Sequence, residues 1–407
     1  MNLTSIINDN KNCGLKSPTV FVIFIVLFIN VCRANPTDTT DRLRQFNNPP
    51  VLASILVADA GPKIYQAGGH AAIRLQCPAC GIDNVFSYET GTGDILTQLL
   101  GQAHGRFTSL ALEQYLNIYR AEGRTVTSYP LNLTDSQTHD LWRILDKSVS
   151  SDISNNFNLR HNNCNSNVFA KITEALGKDT IIIDDKYLSM TNGALQRHVL
   201  NNRDPWSAAL FNVGTGSAAD DTDHWTTRTV PLIMGDFLDN CQIMSSDGSC
   251  RPMLANHPTV LFNGNTQRPP SIFTPTTVAI LLLLVTIIIS WLDYNHRLNN
   301  IVFYANCLLL LLQTCGALLL LILAIIPASI SSGWNWMFIP FNMLPAIIWT
   351  TARHRPLCRL FFISYGIACA IFVLAPSWTD QASIWTSLVS VAISLRTLSH
   401  YYTNTIP

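Results

Sequence analysis

Hydrophobic positions change their pattern near residue 270 of the 407-residue chain. Beyond that point, long apolar runs cover residues 275–292, 301–326, 334–349, 357–375 and 382–395. A membrane-spanning helix takes about 20 mostly apolar residues, so the third and fifth runs are short for a span. The pattern predicts an all-α transmembrane bundle of about five helices in residues 271–407.

Before residue 270, short strand-like and helix-like patterns alternate. Residues 70–76 follow Gly68-Gly69 and form a strand-like run, and a second strand is expected at 124–131. Apolar residues at helical spacing predict a helix over 165–176, with Asn163 and Asn165 as possible caps and Gly177 as its end. The mixture predicts an α+β domain over residues 35–270.

The N-terminus has the features of an export signal. Lys11 and Lys16 precede an apolar run at 20–31, which ends in Cys32-Arg33-Ala34 with small residues at the cleavage positions. Residues 1–34 are therefore predicted to be a signal peptide, with an uncleaved N-terminal anchor as the alternative.

Charge in the loops predicts the orientation. If the 35–270 domain lies outside, the inner loops carry Arg297, the arginines at 353–359 and Arg396, whereas the outer loops near Ser331 and Ser377 carry no Lys or Arg. This is the positive-inside pattern, and it predicts a cytoplasmic C-terminus.

Charged residues make up only 13% of the chain, against about 25% in an ordinary soluble protein. Residues 35–270 hold 18 Lys and Arg against 23 Asp and Glu. A mildly acidic domain without a basic cluster gives no reason to expect a nucleic-acid partner.

Five cysteines fall in the predicted exported domain, where an oxidising compartment favours pairing. Cys77 and Cys80 are expected to form a disulfide, with a redox or zinc motif as the alternative, and Cys241 and Cys250 flank a turn and can close a short loop. These two pairs leave Cys164 as the one cysteine of the predicted domain without an expected disulfide partner. Nothing in the spacing requires a metal or a cofactor.

Cys164 stands at or just before the N-terminus of the predicted helix. The positive end of the helix dipole there is expected to lower the thiol pKa and create a nucleophile, although a small buried residue at a helix start gives the same pattern. A thiol nucleophile needs a histidine. His70 is the preferred candidate over His104, His139 and His161, because it opens a strand after two glycines.

Several motifs, taken in order, resemble the Lnb lipoprotein N-acyltransferases of bacterial envelopes. The motifs are Gly69-His70-Ala-Ala-Ile-Arg74, Phe86-Ser-Tyr88, Gly123-Arg124-Thr-Val126 with Leu131-Asn-Leu-Thr134, Asn163-Cys164, and residues 216–221 with Val230-Pro231. In the apolar region, Ser332-Gly-Trp-Asn-Trp336 and Phe341-Asn-Met-Leu-Pro345 resemble the signature of the family's membrane domain.

The order of His first and Cys later is also similar to the permuted papain-like thiol enzymes, which include lecithin:retinol acyltransferase. The resemblance implies an antiparallel sheet packed on the Cys helix, with Cys164 as nucleophile and His70 as general base. It implies a phospholipid donor and a lipoprotein or other amine acceptor, at a bacterial inner membrane with the catalytic domain in the periplasm.

The remaining site residues stay open at this point. Tyr88, Glu89 and Asn163 are candidates to orient the histidine or to support the oxyanion. Arg74 and Arg124 are possible substrate contacts, but Arg74 can equally be a surface residue and Arg124 can pair with a carboxylate. Two other functions fit the same residues: a thiol hydrolase (amidase, peptidase or phospholipase) of the envelope, and a non-catalytic envelope assembly protein.

Overall fold

The computed structural model describes most of the chain after residue 48. The described residues are 49–61, 63, 66–90, 97, 102–151, 153–158, 161–183, 189–200, 204–222, 230–265, 272–326, 334–352 and 356–403. The predicted signal peptide or anchor at 1–34 lies outside them, as does the expected domain boundary at residue 270.

The described residues include ten strands and eleven α-helices. The strands are β1 Leu52–Ala58, β2 His70–Cys77, β3 Ile82–Thr90, β4 His104–Ala111, β5 Val126–Pro130, β6 Asn155–Asn156, β7 Thr180–Ile182, β8 Gln242–Met244, β9 Cys250–Pro252 and β10 Thr259–Phe262. The helices are α1 Leu112–Glu122, α2 Asp135–Ser150, α3 Cys164–Leu176, α4 Asn192–Leu200, α5 Pro205–Thr215, α6 Met234–Asp239, α7 Pro275–Tyr294, α8 Asn299–Ile325, α9 Leu344–Ala352, α10 Pro356–Phe372 and α11 Ile384–Thr403.

Seven of the strands form one antiparallel sheet in the order β10-β5-β1-β2-β3-β4-β6. Because side chains alternate along a strand, the sheet has two buried faces. One face packs Ile55, Ile73 and Phe86 in a core with α2 and α3, and the other packs Leu56, Ala72 and Val85 against α1. The predicted α+β domain, with an antiparallel sheet packed on the Cys164 helix, is confirmed.

The ends of the predicted helix at 165–176 are set by local hydrogen bonds. Asn163 is the N-cap of α3, and its side-chain oxygen accepts a hydrogen bond from the Ser166 N–H. The helix ends at Leu176, before Gly177 with a φ of 64°. A side-chain cap at one end and a left-handed glycine at the other are the features from which the sequence predicted these limits.

One of the two expected disulfides is present. Cys77 and Cys80 are bonded at the turn between β2 and β3, as predicted. Cys241 and Cys250 are not bonded to each other, so that prediction is wrong. The register pairs Cys250 with Met244, three residues beyond Cys241. At about 3.3 Å per residue, the offset is roughly 10 Å along the strand, too far for a disulfide.

The C-terminal part of the chain is helical, in agreement with the predicted class. Among the described residues, α7 and α8 are long and apolar enough to cross a membrane. Shorter apolar segments lie in α10 and α11, and α9 has 9 residues, or roughly 14 Å of helix. Two apolar spans are therefore present, and a bundle of about five spanning helices stays a prediction.

Polar contacts join this helical region to the α+β domain. Asp380, between α10 and α11, accepts hydrogen bonds from Thr191 and forms an ion pair with Arg197 of α4. Asn335, in the Trp-Asn-Trp motif, donates from Nδ2 to the Val213 carbonyl of α5 at 2.7 Å. The predicted outer loop near Ser377, which holds Asp380, thus contacts α4, and the start of the third apolar run, at Asn335, contacts α5.

Arg396 lies within α11 rather than in a loop. Its guanidinium is buried, bonding Asp293 Oδ2 at 2.6 Å and Asn306 Oδ1 at 2.7 Å. The charge that the sequence assigned to an inner loop is therefore neutralised by an ion pair between the C-terminal end of α7 and the interior of α11.

Candidate active site

The two predicted catalytic side chains line the same cavity. It has a volume of about 320 Å³ and lies where the start of β2 and the end of β3 meet α1, the N-terminus of α3 and the helices α4 and α5. His70 comes from β2 and Cys164 from α3. An apolar part of the wall is formed by Ile118, Phe157, Leu200, Phe211 and Val230.

His70 is positioned by a glycine turn and by Ser87. Gly69 has a φ of 82°, and a Cβ at that residue would lie 2.7 Å from the Ala58 carbonyl oxygen, so only glycine fits without distortion. The turn delivers His70 to the first position of β2. Its Nε2 is 2.7 Å from Ser87 Oγ on the neighbouring strand β3.

Glu89 lies two residues beyond Ser87, on the same face of β3. Burial raises the pKa of the Glu89 carboxyl, and a hydrogen bond from Ser87 partly offsets that rise. The Ser87 hydroxyl has one proton. When that proton points away from His70, the Ser87 oxygen accepts the Nε2–H of His70, and Nδ1 is the nitrogen left able to take a proton.

His70 is neutral at physiological pH. Burial, and then the positive charge of Arg124, lower the pKa of the imidazole to about 4, whereas Glu122 acts in the opposite direction. A neutral imidazole is the form that accepts a proton from a thiol.

Cys164 is a thiol in the resting site, contrary to the expectation from the helix dipole alone. Burial raises its pKa and outweighs three backbone N–H groups and Arg124, which lower it. The N–H groups belong to Ala71, Cys164 and Asn165. Desolvation of a thiolate thus exceeds the stabilisation at the helix start. The same N–H groups lie beside the sulfur and favour the thiolate that forms when its proton is removed.

The other candidate site residues differ in whether they line the cavity and in whether they contact His70. Tyr88, Glu89 and Asn163 line the cavity, but the direct hydrogen bond to His70 comes from Ser87. Tyr88 packs on Phe107, and Asn163 caps α3. Sequence reasoning quoted Ser87 within Phe86-Ser-Tyr88 but assigned it no role. Alternation along β3 puts Ser87 and Glu89 on one face, which is the signal that identifies them.

The two arginines also differ. Arg74 donates from Nε and Nη2 to Asp83, at 2.7 and 2.6 Å, and does not line the cavity. Arg124 lines it, donating from Nε to the Asp59 carbonyl at 2.7 Å and from Nη1 to Glu122 at 2.9 Å. Arg124 thus combines the two expected roles, a carboxylate pair and a position at the site.

No metal centre is visible in the part of the chain that the structure describes, because none of its His, Cys, Asp and Glu side chains form a group of three or more placed to hold an ion.

Fold and site together define a Cys/His cavity in an α+β domain attached to apolar, membrane-type helices. Residues 39–181 match the family model of the Lnb N-terminal periplasmic domain. This part of the chain is therefore similar to the Lnb N-terminal periplasmic domain, and the resemblance inferred from the motifs is confirmed over these residues. The match includes both His70 and Cys164. No curated protein and no solved structure matches the chain.

Proposed function

We propose that this protein is a membrane-bound Cys/His acyltransferase, which moves an acyl chain from a phospholipid through a thioester on Cys164 to an amine. The observation that carries the proposal is the shared cavity. A neutral imidazole from β2 and a half-buried thiol at the start of α3 line it together. The match of residues 39–181 to the model of the Lnb N-terminal periplasmic domain supports the same reaction class.

In the first half-reaction, His70 takes the thiol proton as Cys164 Sγ attacks the ester carbonyl carbon. The oxyanion forms beside backbone N–H groups at the start of α3, where Asn163 fixes the cap. The carbon–oxygen bond then breaks, and the leaving alcohol takes the proton from His70. A lysophospholipid departs, and the acyl chain stays on Cys164 as a thioester.

In the second half-reaction, an amine attacks the thioester and gives its proton to His70. Collapse of the tetrahedral intermediate forms an amide and expels the Cys164 sulfur, which regains a proton from His70. The proposed acceptor is the N-terminal amine of a lipoprotein's lipidated cysteine. Donor and acceptor would both be lipid-anchored, and confinement to one membrane raises their effective concentration.

The attachment of the apolar helices supports a lipid substrate. The α5 helix contributes Phe211 to the cavity wall, and its Val213 carbonyl accepts a hydrogen bond from Asn335 of the helical region. A single helix, α5, thus contacts both the cavity and the apolar helical region. The proposed setting is a bacterial inner membrane, with the α+β domain in the periplasm and the C-terminus in the cytoplasm.

A thiol hydrolase is the second candidate, since it shares every step up to the thioester and differs only in using water as the acceptor. The apolar wall and the helices favour transfer between lipids over cleavage of a soluble peptide. A purely structural envelope protein would have no need for the cavity that holds Cys164 and His70.

The test is the intact mass of a diacylated lipopeptide incubated with phospholipid and the full-length protein. Gain of one acyl chain, lost in Cys164→Ala and kept in Cys250→Ser, supports transfer. Release of free fatty acid that depends on Cys164, with an unchanged lipopeptide, would assign the protein to the hydrolases instead.

A further inference from the structure

Arg124 is a buried cation at the wall of the catalytic cavity, with 3% of its surface exposed. Three contacts fix its guanidinium: the Asp59 carbonyl, the Glu122 carboxylate, and the Tyr119 ring, whose centroid is 4.9 Å away. Glu122 is itself held by Gln66, which donates a hydrogen bond to its other oxygen at 3.0 Å. The charge is therefore held in a preorganised position.

One nitrogen of this guanidinium is left over. Nη2 of Arg124 is buried and has no hydrogen-bond partner among the described residues. Buried donors are nearly always satisfied, so an unpaired one at a cavity wall calls for an acceptor. Arg124 is also the only arginine or lysine among the described residues that line this cavity.

Another part of the cavity wall is apolar, in contrast to the charged side at Arg124. Ile118, Leu200 and Phe211 give the cavity an apolar side, suited to a hydrocarbon chain. A ligand that satisfies both sides carries an anionic oxygen group and an acyl chain. The Arg124 charge acts on both Cys164 and His70, so the anion would bind close to the reacting groups.

We propose that Arg124, held by Glu122 and Gln66, is the binding site for the phosphodiester of the acyl donor. In a glycerophospholipid only a few covalent bonds separate the phosphate from each ester carbonyl, so a phosphate at Arg124 would place the ester near Cys164. Guanidinium groups suit phosphate because their planar N–H groups match its oxygens. This inference rests on the proposed function and adds to it the group by which the donor is recognised.

The test uses lipids that cannot be cleaved, so its outcome does not depend on acyl transfer. Alkylation of Cys164 by iodoacetamide is followed by peptide mass spectrometry on the full-length protein in micelles. The micelles contain either a dialkyl-ether phosphatidylcholine or the dialkylglycerol with the same chains. The phospholipid should slow alkylation at least about tenfold more than the dialkylglycerol, as expected for a charge-assisted hydrogen bond.

Two variants locate the effect. Arg124→Gln should abolish the difference between the two lipids. Arg120→Gln is the matched control and should keep it, since Arg120 lies four residues before Arg124, in α1, but is exposed and pairs with Glu113. Equal protection by both lipids in the wild type would overturn the proposal even if Arg124→Gln does not fold. A preference for the phospholipid that persists in folded Arg124→Gln would overturn it too.

Discussion

His70 Nε2 lies 2.7 Å from Ser87 Oγ, on the same face of β3 as Glu89. The contact joins the first residue of β2 to the middle of β3. It gives the imidazole a fixed orientation, and when the Ser87 oxygen accepts the Nε2–H, Nδ1 is the nitrogen left able to take a proton. Ser87 is therefore a positioning residue, which affects the reaction by orienting His70.

Ser87→Ala should lower kcat for thioester formation about 10- to 100-fold, because the imidazole loses its orienting partner. KM should change little, since Ser87 does not line the cavity. Ser128→Ala is the matched control: Ser128 is also a buried strand serine, on β5, and it does not line the cavity either. An equal loss in both variants would show a general effect on the sheet rather than on His70.

Stability should depend on pH through His70. Its pKa is about 4 in the folded protein against an ordinary 6.5, so between these values the unfolded chain binds a proton that the folded one does not. Stability is lost as pH falls from about 6.5 towards 4, by roughly 2–3 kcal/mol near pH 4.5.

Thermal unfolding at pH 7.5 and pH 4.5 checks this. His70→Asn, which has no titrating ring, should lose less stability on acidification than the wild type. His104→Asn removes an exposed histidine of the same sheet and should behave as the wild type does. Identical acid sensitivity of wild type and His70→Asn would contradict a depressed His70 pKa.

Removal of the Cys77–Cys80 disulfide should affect stability and leave activity unchanged. The bond closes a very short loop, so its loss costs about 2 kcal/mol at most. It lies at the opposite end of β2 from His70, roughly 23 Å along the strand. The double variant with serines should melt earlier and retain full activity. A loss of activity in the folded variant would instead point to a redox role for the pair.

Replacing only one residue of the ion pair between Asp293 and Arg396 should strongly destabilise the protein. Asp293→Asn leaves a buried guanidinium without its carboxylate, which destabilises by about 3–5 kcal/mol. Replacing both residues, as Asp293→Leu with Arg396→Met, should recover much of the loss. Melting of the purified full-length variants in detergent measures both, and a harmless Asp293→Asn would show that the pair is not buried in the folded protein.

Local signals were enough to predict the elements that carry the site. The caps at Asn163 and Gly177 and the glycines before His70 act within a few residues, so the sequence alone places Cys164 at a helix start and His70 at a strand start. That the two line one cavity was inferred from the family resemblance rather than from spacing.

Features set by register and by distant packing were not predicted. The role of Ser87 depends on which residue of β3 lies beside His70, and the separation of Cys241 from Cys250 depends on the β8–β9 register. The direction of the Cys164 pKa shift depends on burial by the whole domain, which local helix-dipole reasoning omits. Such quantities follow from tertiary structure.

The central claim is that Cys164 carries the acyl chain. The most direct measurement is the intact mass of the full-length protein after incubation with phospholipid and no acceptor, before and after treatment with neutral hydroxylamine. The account predicts a mass gain of one acyl chain, mapped to the Cys164 peptide, removed by hydroxylamine and absent in Cys164→Ala. Acylation of a lipopeptide by Cys164→Ala at the wild-type rate, or an acyl adduct on another residue, would contradict it.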